Sequence, residues 1–199
     1  MTRSIRYSPS VRFEGELNEG SVAQRMSSTN YARNANAIPR SLNALALLAS
    51  GASVALVSDA GTPGISDPGA RVVAAAHAAG YRVCPVPGAN AAAAAVSASG
   101  FLSPHFLFYG FLPARAAARR EALSTLAALP YSLVFYEAPH RVAECVADLA
   151  LTMGIERRVL IARELTKLFE ETHVCALGDV PAWLGANPHR AKGEFVLVV

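Results

Sequence analysis

The stretch SVALVSDAGTPGISDPGARVVAAAHAAG, residues 53–80, constrains the chain more than any other. A short β-branched run ends at an acid and breaks into a loop holding Gly61, Pro63 and Gly64, after which an alanine-rich helical stretch runs to Gly80. Ser66 or Asp67 is the expected N-cap, Pro68 stands at the first helical position and Gly80 lies past the end. Upstream, IPRSLNALALLASG puts Ile38, Leu42, Leu45, Leu47 and Leu48 mostly on one helical face, with Gly51 as the stop. Downstream, YRVCPVPG reads as a second strand and ANAAAAAVSASG as a helix of small residues that can lie close to its neighbours. Helix, strand, loop, helix, strand, loop, helix is the order of an α/β unit on a parallel sheet.

From Leu102 the texture turns aromatic and extended, and LSPHFLFYGF reads as a linker and the first strand of a second domain. PARAAARREALSTLAAL follows as a basic amphipathic helix, SLVFYEAP as a strand and HRVAECVADLALTMG as a helix ending near Gly154. RRVLIAREL and KGEFVLVV complete the set as strands. The expectation is two α/β domains, residues 31–103 and 104–199, preceded by residues 1–30, an atypical, loosely ordered polar arm with no sustained apolar period.

The 199 residues are 52% hydrophobic and 17% charged, which suits a packed globular chain. No run of about 18 apolar residues suggests a membrane span. MTRSIRYSPS lacks the apolar stretch of a signal peptide, so a cytoplasmic protein is expected. Cys84, Cys145 and Cys175 form no C-x-x-C pair, which argues against a disulfide framework or a zinc site. A net charge of +3 permits an anionic partner such as RNA without demanding one.

In open α/β sheets ligands settle outside the carboxyl ends of the strands. Three loops stand at such ends: DAGTPGISDPG, PVPGANA and YEAPHR. In the first, Gly61 and Gly64 let the backbone approach a ligand, and Asp59 and Thr62 can hydrogen-bond it. A P-loop needs a lysine after its glycines, and the dinucleotide fingerprint G-x-G-x-x-G is missing. Gly64 to Pro68 lacks the second glycine of a nucleophile elbow. No metal is expected, since Asp59 and Asp67 have no obvious third ligand. YEAPHR groups Glu137, His140 and Arg141, able to move protons or hold a phosphate, or simply forming a polar first helical turn. ARELTK crowds Arg163, Glu164, Thr166 and Lys167 at another strand end, where alternation directs Arg163 and Leu165 to one face and Glu164 and Thr166 to the other. Arg115, Arg119 and Arg120 form a basic stripe on a helix: a solvated face, or a phosphate contact if the substrate is RNA.

Six motifs in order, VALVSDAGTPGISDPG, VPGANA, GFLPAR, LVFYEAPHR, ARELTK and KGEFVLVV, resemble the ribosomal RNA small subunit methyltransferase I family of the tetrapyrrole methylase superfamily, over residues 31–199. The resemblance implies two α/β domains with S-adenosylmethionine in a cleft between them, a homodimer, and methylation of the ribose 2′-hydroxyl of a cytidine in 16S rRNA. It implies that Asp59, Ala60, Gly61, Thr62 and Pro63 approach the cofactor, with Gly88, Asn90 and Ala91 lining the same pocket and Glu137 and Ala138 closing it from the second domain. Glu137, His140, Glu164 and Lys167 become candidates for orienting or deprotonating the hydroxyl. Arg115, Arg119, Arg120, Arg141 and Arg163 become candidates for holding RNA phosphates. Alternatives are a tetrapyrrole or other small-molecule methylase of the same superfamily, or an inactive remnant. The family's opening strand and T-P-I-G-N-L type loop have no counterpart before Tyr31, so a first sheet short of one strand is expected. Pro-Gly-Ala-Asn also replaces the more usual Pro-Gly-Pro-Ser.

Overall fold

The computed structural model describes residues 4–9, 21–25, 38–58, 60–67 and 69–199. Its contacts divide into two compact units, Met1–Asn90 and Ala91–Val199.

The first unit carries strands β1 (Ser4–Pro9), β2 (Ser21–Arg25), β3 (Ser53–Ser58) and β4 (Arg82–Pro85), with helices α1 (Ile38–Ala49) and α2 (Ala70–Ala78). All pairings are parallel and the strand order is β2-β3-β1-β4. This corrects two expectations. Residues 1–30, read as a polar arm, contribute two strands, and β1 lies between β3 and β4 rather than being missing. SIRYSP alternates apolar and polar residues over too few positions to stand out from its polar surroundings.

Alternation on β3 buries Val54, Leu56 and Ser58. Val54 and Leu56 pack with Ala44 and Leu48 of α1 and with Val72 and Ala76 of α2. The chain leaves α2 in a Schellman pattern, Gly80 N–H donating to His77 O and Tyr81 N–H to Ala76 O, as its closing glycine suggests. The start of α2 differs from expectation. Its N-cap is Gly69, not Ser66 or Asp67, and Pro68 lies outside the described residues. Ser66 is left-handed at φ 58°, and Gly69 has φ 142°, where a Cβ would stand 2.9 Å from Leu56 Cδ2. A glycine is the residue that lets the helix start so close to β3.

The second unit holds α3 (Ala91–Ser99), β5 (Phe106–Phe111), α4 (Ala116–Ala127), β6 (Ser132–Glu137), α5 (Val142–Met153), β7 (Arg158–Arg163), β8 (Glu171–Ala176), α6 (Val180–Gly185) and β9 (Phe195–Val198). The order is β5-β6-β9-β7-β8. β5 and β6 pair in parallel, while β9 runs antiparallel between β6 and β7, and β8 is antiparallel to β7. Leu133, Phe135, Ile161 and Leu197 face a core with Leu123, Leu126, Cys145 and Leu149 of α4 and α5. Their alternates Val134, Leu160, Ala162, Val196 and Val198 face Ala92 and Ala95 of α3. The small residues of α3 are thus spent on the second sheet, which moves the division from residues 103/104 to 90/91.

Arg119 breaks the expected basic stripe. Its side chain is 2% exposed and its Nε lies 2.6 Å from Asp148 Oδ2 on α5. Arg120 Nη1 reaches Asp148 Oδ1 at 3.2 Å, and Glu144 Oε2 stands 3.6 Å from Arg119. Burial opposes the Arg119 charge, but Asp148 outweighs it and raises the pKa, so the guanidinium stays protonated inside. Removing one member strands the other. Asp148→Ala is expected to cost about 3 kcal/mol in urea unfolding, whereas Arg119→Met with Asp148→Leu loses much less.

Candidate functional site

In the first unit, the loops after β3 and β4 leave the carboxyl ends of strands that both flank β1. Thr62 Oγ1 donates to Ala89 O at 3.0 Å, and a Cβ on Gly61, which has φ 69°, would stand 3.6 Å from the same carbonyl. Ser58 Oγ, buried at the end of β3, donates to Ala60 O and Gly61 O at 3.0 and 2.8 Å. Two of the expected ligand loops are therefore clamped side by side, with Ala60 and Gly88 exposed and Thr62 and Asn90 half-buried. Pro63 is buried beneath them. Asp59 lies outside the described residues. Ser58, which the sequence reading passed over, is the anchor; its signal is a hydroxyl at the last buried position of an alternating strand.

In the second unit, Glu137 ends β6 with a side chain 0% exposed. Its Oε1 accepts the Ala138 N–H at 2.8 Å and lies 3.2 Å from Arg141 Nε. Arg141 Nη2 donates to Leu112 O at 2.7 Å and to Pro113 O at 3.3 Å, tying YEAPHR to GFLPAR. Burial, and then the Glu137 carboxylate, push the facing Cys145 thiol up to about 12. Glu137 is thus a buried strut, and Arg141 directs its fork at two backbone carbonyls. Arg163 is buried as well: its Nη1 and Nη2 donate to Lys192 O and Phe169 O at 3.2 and 3.0 Å, with Glu171 Oε2 3.8 Å from Nε. Arg119 is already committed to Asp148. Of the five candidate arginines, Arg115 and Arg120 remain exposed. His140 is exposed on the turn between β6 and α5.

ARELTK does not continue as a strand. β7 stops at Arg163, and Glu164 and Thr166 are left-handed at φ 52° and 64°, so the expected alternation fails. Leu165 packs toward the α3 face of the sheet. Glu164 Oε1 accepts the Glu194 N–H at 2.8 Å and Lys167 Nζ at 2.9 Å, while Lys167 also reaches Glu194 Oε2 at 2.8 Å. Gly193 makes room: a Cβ there would stand 2.5 Å from Glu164 Cγ. The sequence does not single out Gly193 or Glu194, although a glycine two residues before a buried strand is a sign of close approach. The Glu194 N–H first, then Lys167, hold the Glu164 carboxyl below its usual range. Burial works against the Lys167 charge, but Glu194 and Glu164 outweigh it and raise its pKa.

Among the described residues no cluster of three or more His, Cys, Asp or Glu is placed to hold a metal, and no helix is long and apolar enough to cross a membrane. Because its folded pKa is lowered, Glu164 contributes stability that is fully present above about pH 4.5 and is lost as pH falls through the folded value. The stability difference between the parent and Glu164→Gln, about 1 kcal/mol or less, should be flat at neutral pH and shrink in acid, as read by denaturant titration at each pH.

The model of the tetrapyrrole (corrin/porphyrin) methylases matches residues 7–181, beginning inside β1. A protein of Xylella fastidiosa (strain Temecula1) named ribosomal RNA small subunit methyltransferase I is 53% identical over 152 residues, 76% of this chain and 56% of that protein. The chain spans about half the length of the curated relatives it matches. The crystal structure of the methyltransferase CobJ superposes with a TM-score of 0.61 at 24% identity, covering 87% of this chain and 81% of that one. Uroporphyrin-III C-methyltransferase from Thermus thermophilus, complexed with S-adenosyl homocysteine, gives a TM-score of 0.54 at 18% identity over 82% of this chain and 73% of that one. The residues that would carry the loop after β1 lie outside the described ones, and the match over residues 7–181 places the chain in the tetrapyrrole methylase family.

Proposed function

We propose that this chain serves S-adenosylmethionine-dependent methylation of the ribose 2′-hydroxyl of a cytidine in 16S rRNA of the small ribosomal subunit, in the cytoplasm and as a homodimer. The observation that carries the reading is the Thr62–Ala89 clamp, which joins two loops expected to meet one cofactor. The relative's name and the ordered motifs support the rRNA branch over small-molecule methylases.

The loops fit such a cofactor. Residues 60–63 and Gly88 offer backbone groups at the carboxyl ends of β3 and β4, with Asn90 beside them. S-adenosylmethionine supplies a methyl already made electrophilic by its sulfonium. The chain's task is then to hold the hydroxyl in line and to accept its proton late. Glu137 is too buried for that task. Glu164, held below the usual carboxylate range, and Lys167, held protonated, are poor bases and act by positioning. His140, exposed and at the end of β6, is the proton acceptor of this reading. Arg115 and Arg120 meet RNA phosphates.

Calorimetric titration with S-adenosylmethionine, paired with labelled methyl transfer to unmethylated 30S subunits, tests the proposal. Binding and transfer are expected from the parent. His140→Ala should keep cofactor binding and lose about a hundredfold or more in transfer rate; an unchanged rate removes His140. Transfer to a tetrapyrrole but not to 30S subunits reverses the substrate class, and well-folded protein that binds no cofactor is an inactive remnant.

A further inference from the structure

The second unit holds a solvent-open cavity of about 610 Å³ at the amino ends of β6 and β7. Ser132 and Arg158, the first residues of those strands, are in its wall, whereas His140 and Glu164 follow their far ends. It is therefore separate from the second unit's candidate catalytic residues.

Phe101, Leu102, Tyr131, Glu156, Arg157 and Arg158 give the cavity its chemistry. The Arg158 guanidinium carbon sits 5.7 Å from the centre of the Phe101 ring, which supports one flat cation against an aromatic face. Arg157 is exposed beside it, and among the described residues neither arginine side chain is held in a salt bridge. Tyr131 is 38% exposed and braced edge-on by His105, ring centroids 5.9 Å apart. Leu102 is 99% exposed, so the rim is open on that side. Small-molecule sites enclose most of their ligand, and this one does not. Two arginines beside an available aromatic face in an open trough match a nucleotide within a longer strand.

We propose that this cavity is a second RNA contact, taking one nucleotide of single-stranded RNA with its phosphate on Arg157 and Arg158 and its base against Tyr131. Glu156 accepts a hydrogen bond from an amino group on the base edge. The inference rests on the rRNA substrate proposed above and adds a contact apart from the residues that would act on the ribose.

The test is fluorescence anisotropy of the full chain with a short labelled single-stranded RNA across a potassium chloride series, with melting curves to verify that each variant is folded. Arg157→Ala combined with Arg158→Ala is expected to weaken binding about tenfold and to lower the slope of log affinity against log salt by about 0.7, the share of the one phosphate that the pair holds. Tyr131→Ala should lose about fivefold, while Tyr131→Phe, which keeps the ring, should bind as the parent does. Folded variants that bind like the parent, or a parent that binds no RNA, overturn the proposal. Methyl transfer to 30S subunits, run in parallel, separates the two ideas. Transfer intact with RNA affinity indifferent to these variants overturns the cavity alone. Transfer absent with affinity lost in the variants supports the cavity and overturns the reaction.

Discussion

A buried carboxylate sets the geometry at the carboxyl end of the second sheet. Glu137 has no exposure to water, so its charge needs Arg141, and Arg141 in turn reaches the carbonyls of Leu112 and Pro113. One guanidinium thereby fixes the exits of β5 and β6 relative to each other. Burying such a pair is justified less by net stability than by the single arrangement it permits. Its effect is to hold Ala138 and the exposed His140 on a turn that cannot drift.

The same logic applies to Arg119, which the sequence groups with exposed arginines and the fold buries against Asp148. Arg119 shares its helix face with Leu123 and Leu126, at spacings of four and seven residues, and Asp148 lies among Cys145, Val146 and Leu149 on α5. A charge placed on an apolar stripe of each of two successive helices is a legible sign of a buried pair. Adjacency of Arg119 to Arg120 masks that sign, because neighbouring residues on a helix point about 100° apart while a list of basic residues treats them as one patch.

Helices α1 and α5, the ends of α1 and α2 at Gly51 and Gly80, and the parallel first sheet are legible because each is written in periodic apolar residues with punctuation, and α3 because a run of small residues lies between Pro-Gly and Gly100. β1 and β8 are not. SIRYSP is short and set in polar text, and ETHVCA mixes polar and apolar residues on both faces of an edge strand. The interleaving of β9 between β6 and β7 is a long-range pairing that no local pattern encodes. Among the candidate residues, the turn after β3 is legible from its glycines, but the burial of Glu137 beside Arg141, and of Arg163, depends on carbonyls of Leu112, Phe169 and Lys192 that accept from those arginines and lie outside their own motifs.

Left-handed residues that are not glycine fall only in loops among the described residues: Ser66 shortly before α2, and Glu164 and Thr166 directly after β7. Each costs conformational energy that nearby bonds must offset. At β7 the offset is visible: Glu164 takes the Glu194 N–H and Lys167, and Thr166 N–H donates to the Glu170 carboxylate. A reaction whose electrophile comes with the cofactor asks little of side-chain basicity and much of position. In the first unit a clamp pins the backbone after β3, and in the second a strut after β6 and a three-charge clasp after β7 do the same; the methyl transfer proposed above would draw on backbone fixed in this way. Each of these strand ends is thus held by a different interaction, while Ala60, Gly88 and His140 beside them stay exposed.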